Sequence, residues 1–211
     1  MKKTAIKFVL IASVIITYWI LFAPKQYFSD EYCLKVGPYC EYFSSNLRAM
    51  KEPSLYKKAS NIDNLTYRFL WLRSFNEPAS FRLAIQPDNT ATLSIKMLDL
   101  SADFSSGIYV PGKLILDKEV TINRADLEEF LVSESAAKKW LTKDKVPAPN
   151  AGFDGASWIF EAVIDHQHHI IQRWSPTSTK ENSPAAAVDY DMQKLGMALM
   201  KLSGIKFEHI Y

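Results

Sequence analysis

The first 25 residues lack any acidic side chain, and the whole chain has two cysteines and neither an internal repeat nor a low-complexity tract. Each shortage excludes something. Four of the 25 basic residues, Lys2, Lys3, Lys7 and Lys25, lie in the acid-free segment, so the rest of the chain, with its 23 acids, is slightly acidic. A domain so near neutrality has no electrostatic footprint for nucleic acid. Cys33 and Cys40 are spaced C-x6-C, which is not a redox C-x-x-C, and nothing nearby completes a zinc site. Without a period of 20–50 residues, solenoids and propellers are excluded. The length of 211 residues fits one N-terminal segment and one globular domain.

What the N-terminus does have is an uncharged, largely apolar run over residues 8–23. As a helix it spans about 24 Å, close to the roughly 30 Å hydrocarbon core, and Lys7 can snorkel at its start. Tyr18 and Trp19 stand towards the far end, where an aromatic belt is favoured, and the lysines before the run predict a cytoplasmic N-terminus. A cleaved signal peptide needs small residues after the apolar core. Here Leu21-Phe22-Ala23-Pro24 follows, so an uncleaved anchor is the better reading. Residues 1–24 are therefore expected to be the anchor, with residues 5–23 in a bacterial inner membrane and the C-terminal domain in the periplasm.

Export suits the cysteines. Seven positions along one helix would separate them by about 10 Å, too far for a disulfide. Gly37-Pro38 supplies a turn between them, so a Cys33–Cys40 bond is expected, in an oxidising compartment. Residues 25–64 read as a tether carrying this bond, with a short helix around 41–50.

The domain is expected over residues 65–211. Residues 66–73 place Tyr67, Phe69 and Trp71 on one strand face. Gln86-Pro87-Asp88-Asn89 suits a type I turn with a left-handed Asn, which pairs Ile85 with Ala91, Leu83 with Leu93 and Phe81 with Ile95. A fourth strand falls in 113–122. Asn123 then caps a helix with Leu127, Phe130 and Leu131 on its buried stripe. A second hairpin joins 156–164 to 168–174. Ser183-Pro184 opens a last helix, which Gly204 ends. The order β-β-β-β-α-β-β-α predicts an α+β fold, an antiparallel sheet with helices packed on one face.

Residues 107–113 match G-x-x-x-x-G-K, but Leu114 replaces the Ser or Thr that would hold magnesium and a strand pattern follows, so a turn is expected there. Gly155-Ala156-Ser157-Trp158-Ile159 begins like a nucleophile elbow but lacks the final Gly and lies in a strand. Three of the four histidines fall at 166–169. His166 and His168 can share a strand face and hold a metal, but a third and fourth ligand are missing and His209 is the one other imidazole. A pH sensor is a further alternative. Asp154, Trp158, Glu161, Arg173 and Trp174 form a candidate binding pocket, with Glu161 paired across the hairpin with Arg173. A turn plus a structural ion pair is the simpler account.

The segments D-G-A-S-W-I-F-E (154–161), H-H-I-I-Q-R-W-S-P (168–176) and the last helix resemble a group of uncharacterised bacterial envelope proteins with a C-terminal D-G-x-x-W-x-x-E … R-x-S-P signature. The resemblance covers about the last quarter of the chain and implies no activity. His166 departs from it, because glycine is expected at that hairpin tip. The sequence thus points to a membrane-anchored envelope protein whose exported domain binds another protein, an immunity-type role included, with no cofactor called for. The alternatives are a periplasmic hydrolase using a carboxylate or a His-metal site near 154–174, and a structural subunit of an envelope complex.

Overall fold

A computed structural model describes residues 27–208 and 210, except 106, 144, 150, 151 and 153. The expected membrane anchor lies outside these residues, and no described helix is long and apolar enough to cross a membrane. The described chain opens with α1 (Asp30–Val36), α2 (Tyr39–Ala49) and α3 (Leu55–Lys58). Strands β1 (Leu65–Arg73), β2 (Ala79–Ile85), β3 (Ala91–Leu98) and β4 (Leu114–Ile122) follow. Helix α4 (Arg124–Leu141), strands β5 (Ala156–Ile164) and β6 (Gln167–Trp174), and helix α5 (Ala186–Ser203) complete the fold.

The six strands form one antiparallel sheet in the order β4-β3-β2-β1-β5-β6. Local chemistry sets much of it. Asn89 takes φ 63°, and the β2–β3 register is the one its turn dictates, with Ile85, Leu83 and Phe81 opposite Ala91, Leu93 and Ile95. Asn123 Oδ1 accepts the Asp126 amide at 3.0 Å, starting α4, and Gly204 at φ 68° ends α5. Residues 107–113 contain no phosphate loop; strand β4 begins at Leu114.

One sheet face packs under α4 and α5. Its centre is aromatic: Phe69 lies between Phe81, Trp158 and Phe160, with centroids 5.8, 4.8 and 4.7 Å away. Gly196 of α5 lets the helix reach the Trp158 ring, where an added Cβ would stand 2.5 Å from a ring carbon.

The second face corrects the sequence-based expectation. Helices cover both faces, not one, and the described part of the expected tether is a folded layer. Phe28, Phe43, Leu47 and Met50 are completely buried against Leu70, Leu72 and Ile159 of the sheet, and Leu55 and Ala59 pack on Val163. The tie is polar as well as apolar: the Tyr27 hydroxyl donates to the Glu52 carbonyl at 2.9 Å, and Ser54 Oγ to the Tyr27 carbonyl at 2.8 Å.

Cys33 and Cys40 form the expected disulfide, with Cα atoms 5.0 Å apart across the Gly37-Pro38 turn that separates α1 from α2. Gly37 takes φ 58°, which suits glycine. Closing so short a loop removes unfolded-state entropy worth about 2.5 kcal/mol. Reduction is accordingly expected to lower the melting temperature of the full chain by about 5–10 °C. Thermal melts with and without reductant, with the Cys33→Ser, Cys40→Ser double variant insensitive to reductant, check this.

Candidate functional site

The sequence-derived candidates do not converge on one pocket. In β5, Glu161 stands opposite Ile170 and Arg173 opposite Trp158, so the two charged side chains emerge on opposite faces of the sheet. The expected Glu161–Arg173 pair is absent, and each residue has a different partner.

Glu161 belongs to a buried ionic layer beneath the N-terminal helices. Its Oε2 takes both Nε (2.7 Å) and Nη2 of Arg68 from the neighbouring β1. Its Oε1 meets His168 Nε2 of β6 at 2.9 Å, under the Tyr56 ring of α3. Arg68 Nη1 donates to the Pro53 carbonyl at 2.6 Å and lies 3.5 Å from Glu52 Oε2, which also accepts from Arg82 Nε at 2.8 Å. Arg68, Glu161 and Glu52 have no exposed side-chain surface. Burial alone would raise the Glu161 pKa, but the Arg68 guanidinium and His168 outweigh it and hold the carboxyl below its ordinary value. With both oxygens engaged and no solvent access, this carboxylate fixes Arg68, which latches the sheet to Pro53 and Glu52 of the N-terminal layer.

Arg173 makes a second latch on the other face. Its Nε pairs with Asp189 of α5, and Nη1 donates to the Pro147 carbonyl at 2.6 Å. Asp189 Oδ2 accepts from Thr179 Oγ1 at 2.5 Å. Trp158 is wholly buried beneath Gly196, within the aromatic centre of the sheet. Asp154 and Trp174 do meet, at a hollow of about 540 Å³ shared with Gly152, Ser178 and Lys180. Among the described residues that hollow has no aliphatic lining, unlike most ligand sites.

The signature segments interlock as structure. Ala156 N donates to Ser175 Oγ at 2.9 Å, and Gly155, at φ 149°, sits where a Cβ would be 2.2 Å from the same oxygen. Ser175 itself takes φ 37° before the Pro176 turn.

The histidines separate. His166 lies in the two-residue turn, His168 faces the ionic layer and His169, opposite Ala162, points to the other face. Burial, then His168, lowers the His169 pKa. Among the described residues no three His, Cys, Asp or Glu side chains are grouped to hold a metal. Asp165 and His166 take φ 50° and 62°, the left-handed values of a type I′ turn, where glycine is preferred at the second position. His166→Gly is therefore expected to stabilise the fold by about 0.5–1 kcal/mol, read as a higher urea midpoint.

A different feature has the make-up of a binding site. A groove of about 490 Å³ runs along β6, with residues 170–173 as its floor. Tyr32, Lys35 and Val36 of α1 wall one side, and Trp140, Lys143 and residues 146–149 wall the other. Its volume falls within the range of ligand sites, and its surface mixes aromatic, aliphatic and cationic groups. Sequence reasoning missed it because its two walls lie more than a hundred residues apart, one of them in the segment read as a tether. Arg68, Glu52 and Asp189 were missed as well. The signal for Arg68 was a charge inside a strand whose two faces both read apolar, Tyr67, Phe69 and Trp71 on one and Leu70 and Leu72 on the other.

No protein-family model matches the chain, and no curated protein matches it.

Proposed function

We propose that this protein is a membrane-anchored component of the bacterial envelope whose exported domain binds another protein and performs no catalysis. The observation that supports the binding role is the groove along β6, a slot walled on two sides at a sheet edge with mixed apolar and cationic lining. The buried carboxylates Glu52, Glu161 and Asp189 face guanidinium groups within the protein, so their charges are matched internally. An accessory or immunity-type partner in the envelope fits such a surface. The anchor reading rests on the apolar run at 8–23 behind three lysines, and periplasmic placement accords with the Cys33–Cys40 bond.

The test is affinity capture of the full chain from detergent-solubilised membranes after in-cell cross-linking. One stoichiometric envelope protein is the expected result, and the absence of any stoichiometric partner would sink the binding role. A reporter fused after Tyr211 that proves active only in the cytoplasm would remove the periplasmic placement.

A further inference from the structure

Building on the binding role just proposed, we infer that the partner docks as an extended, acidic peptide segment that adds a seventh strand to the sheet at β6.

The hydrogen-bond register opens this edge. In an antiparallel pair, opposed residues alternate between those that exchange backbone bonds and those that do not. The Ser175 amide donates to the Ala156 carbonyl at 2.8 Å, so the bonded pairs continue as 158 with 173, 160 with 171 and 162 with 169. The Ser74 amide bonds to the Gly155 carbonyl at 2.9 Å, which directs the odd-numbered residues of β5 to β1, as this alternation requires. The amide and carbonyl groups of Ile170 and Gln172 consequently face away from β5. Both residues line the groove, and among the described residues no strand pairs with that side of β6. Two residues presenting two donors and two acceptors match the repeat of an added strand.

The other edge of the sheet shows the contrast. There β4 carries Asp117, Lys118 and Glu119, all exposed, the usual guard against adventitious pairing. The β6 edge runs His-His-Ile-Ile-Gln without such a guard, and its access is set by the two groove walls. A groove walled on two sides accepts an extended peptide and hinders a broad protein face.

Charge selects the peptide. The lining includes Lys35, Lys143 and Arg173 and no acidic residue among those described. Arg173 is neutralised by Asp189, whereas Lys35 and Lys143 are exposed, one on each wall. An acidic strand meets opposite charge on both sides, while a second copy of this chain would bring its own lysines against these. Tyr32, which lines the wall, also has a buried hydroxyl with no hydrogen-bond partner among the described residues.

The experiment pans a random octapeptide display library on the full chain in detergent micelles, then measures the synthetic form of the enriched peptide by fluorescence anisotropy. Enriched sequences are expected to be acidic and rich in β-branched residues. Affinity is expected to fall about tenfold or more in three cases: methylation of alternate peptide amides, Gln172→Pro, or Lys35→Glu with Lys143→Glu. Proline suits an outward-facing edge position, and the methylated peptide needs no protein variant. Ile170 and Gln172 amides should also become protected from hydrogen exchange. No enrichment, enrichment of basic peptides, or indifference to amide methylation would overturn the inference, as would a peptide-dissociable dimer of the chain. The two proposals fail separately. A partner captured equally by wild type and Gln172→Pro keeps the binding role and ends the added strand. Methylation-sensitive acidic peptides with no captured partner do the reverse.

Discussion

Arg68→Met is expected to destabilise the domain by about 3–5 kcal/mol, the range for removing one partner of a buried ion pair. Methionine keeps much of the aliphatic volume, so the loss is mainly electrostatic. It leaves the wholly buried Glu161 with His168 as its remaining contact, and it exposes Glu52 to the loss of one of its cations. The pH dependence separates this account from a packing defect. In the wild type the Glu161 pKa lies below its ordinary value of 4.5, so its ionised form favours the folded state. That contribution is complete above the unfolded-state value and is lost as pH falls through the lower folded value. Without Arg68 the leading influence is burial, which raises the pKa and reverses the sign: the variant gains from protonation on acidification. The stability gap between wild type and Arg68→Met should therefore narrow on acidification, first above pH 4.5 as the variant's carboxyl protonates and then below it as the wild-type carboxyl does, in denaturant melts taken across pH. A gap constant with pH would refute the ionic account. Glu161→Leu added to Arg68→Met should restore part of the loss, since an apolar replacement of a buried pair is often neutral.

This layer also explains what the sequence could and could not disclose. The turn at 86–89, the cap at Asn123 and the stop at Gly204 were legible because each depends on a few adjacent residues. The β5–β6 hairpin shows how narrow that legibility is. A turn one residue longer, with strand pairing resumed at His168, would place Arg173 diagonal to Glu161 on one face. The actual turn has two residues, Ile164 faces Gln167, and the whole of β6 shifts by one. A one-residue slip moves every side chain to the other face, so the expected ion pair dissolved and each residue found a remote partner. Those partners lie 93 and 16 positions away, in Arg68 and Asp189, beyond what local pattern can specify. The second helical layer was hidden for a related reason. Helices α1 and α3 have 7 and 4 residues, too short to announce themselves by periodicity, and the helix expected around 41–50, found as α2, was read as part of a tether although Leu70, Leu72 and Ile159 called for a cover. The groove inherits both difficulties, because its walls come from that layer and from the segment after α4.

Asp189→Ala is the second variant of large expected effect, at about 3–5 kcal/mol, because it strands a guanidinium that is 99% buried. Its consequence should reach the groove. Arg173 holds three things together: β6, in which it sits; α5, through Asp189; and the 146–149 wall, through the Pro147 carbonyl. Without its counter-charge the guanidinium gains by turning towards water, and the Pro147 bond is the contact that movement breaks. Hydrogen exchange by mass spectrometry is then expected to show faster exchange in peptides covering residues 143–149, beyond the general increase set by lower stability. Lysine at position 173 tests the same linkage from the other side. It keeps the charge for Asp189 but cannot donate at once to Asp189 and Pro147 in the guanidinium's fixed fork. Arg173→Lys should therefore cost less stability than Asp189→Ala while loosening the 143–149 peptides to a similar degree. Equal protection of that wall in wild type and both variants would show that the groove's shape is independent of Arg173, and would return this residue to a purely internal role.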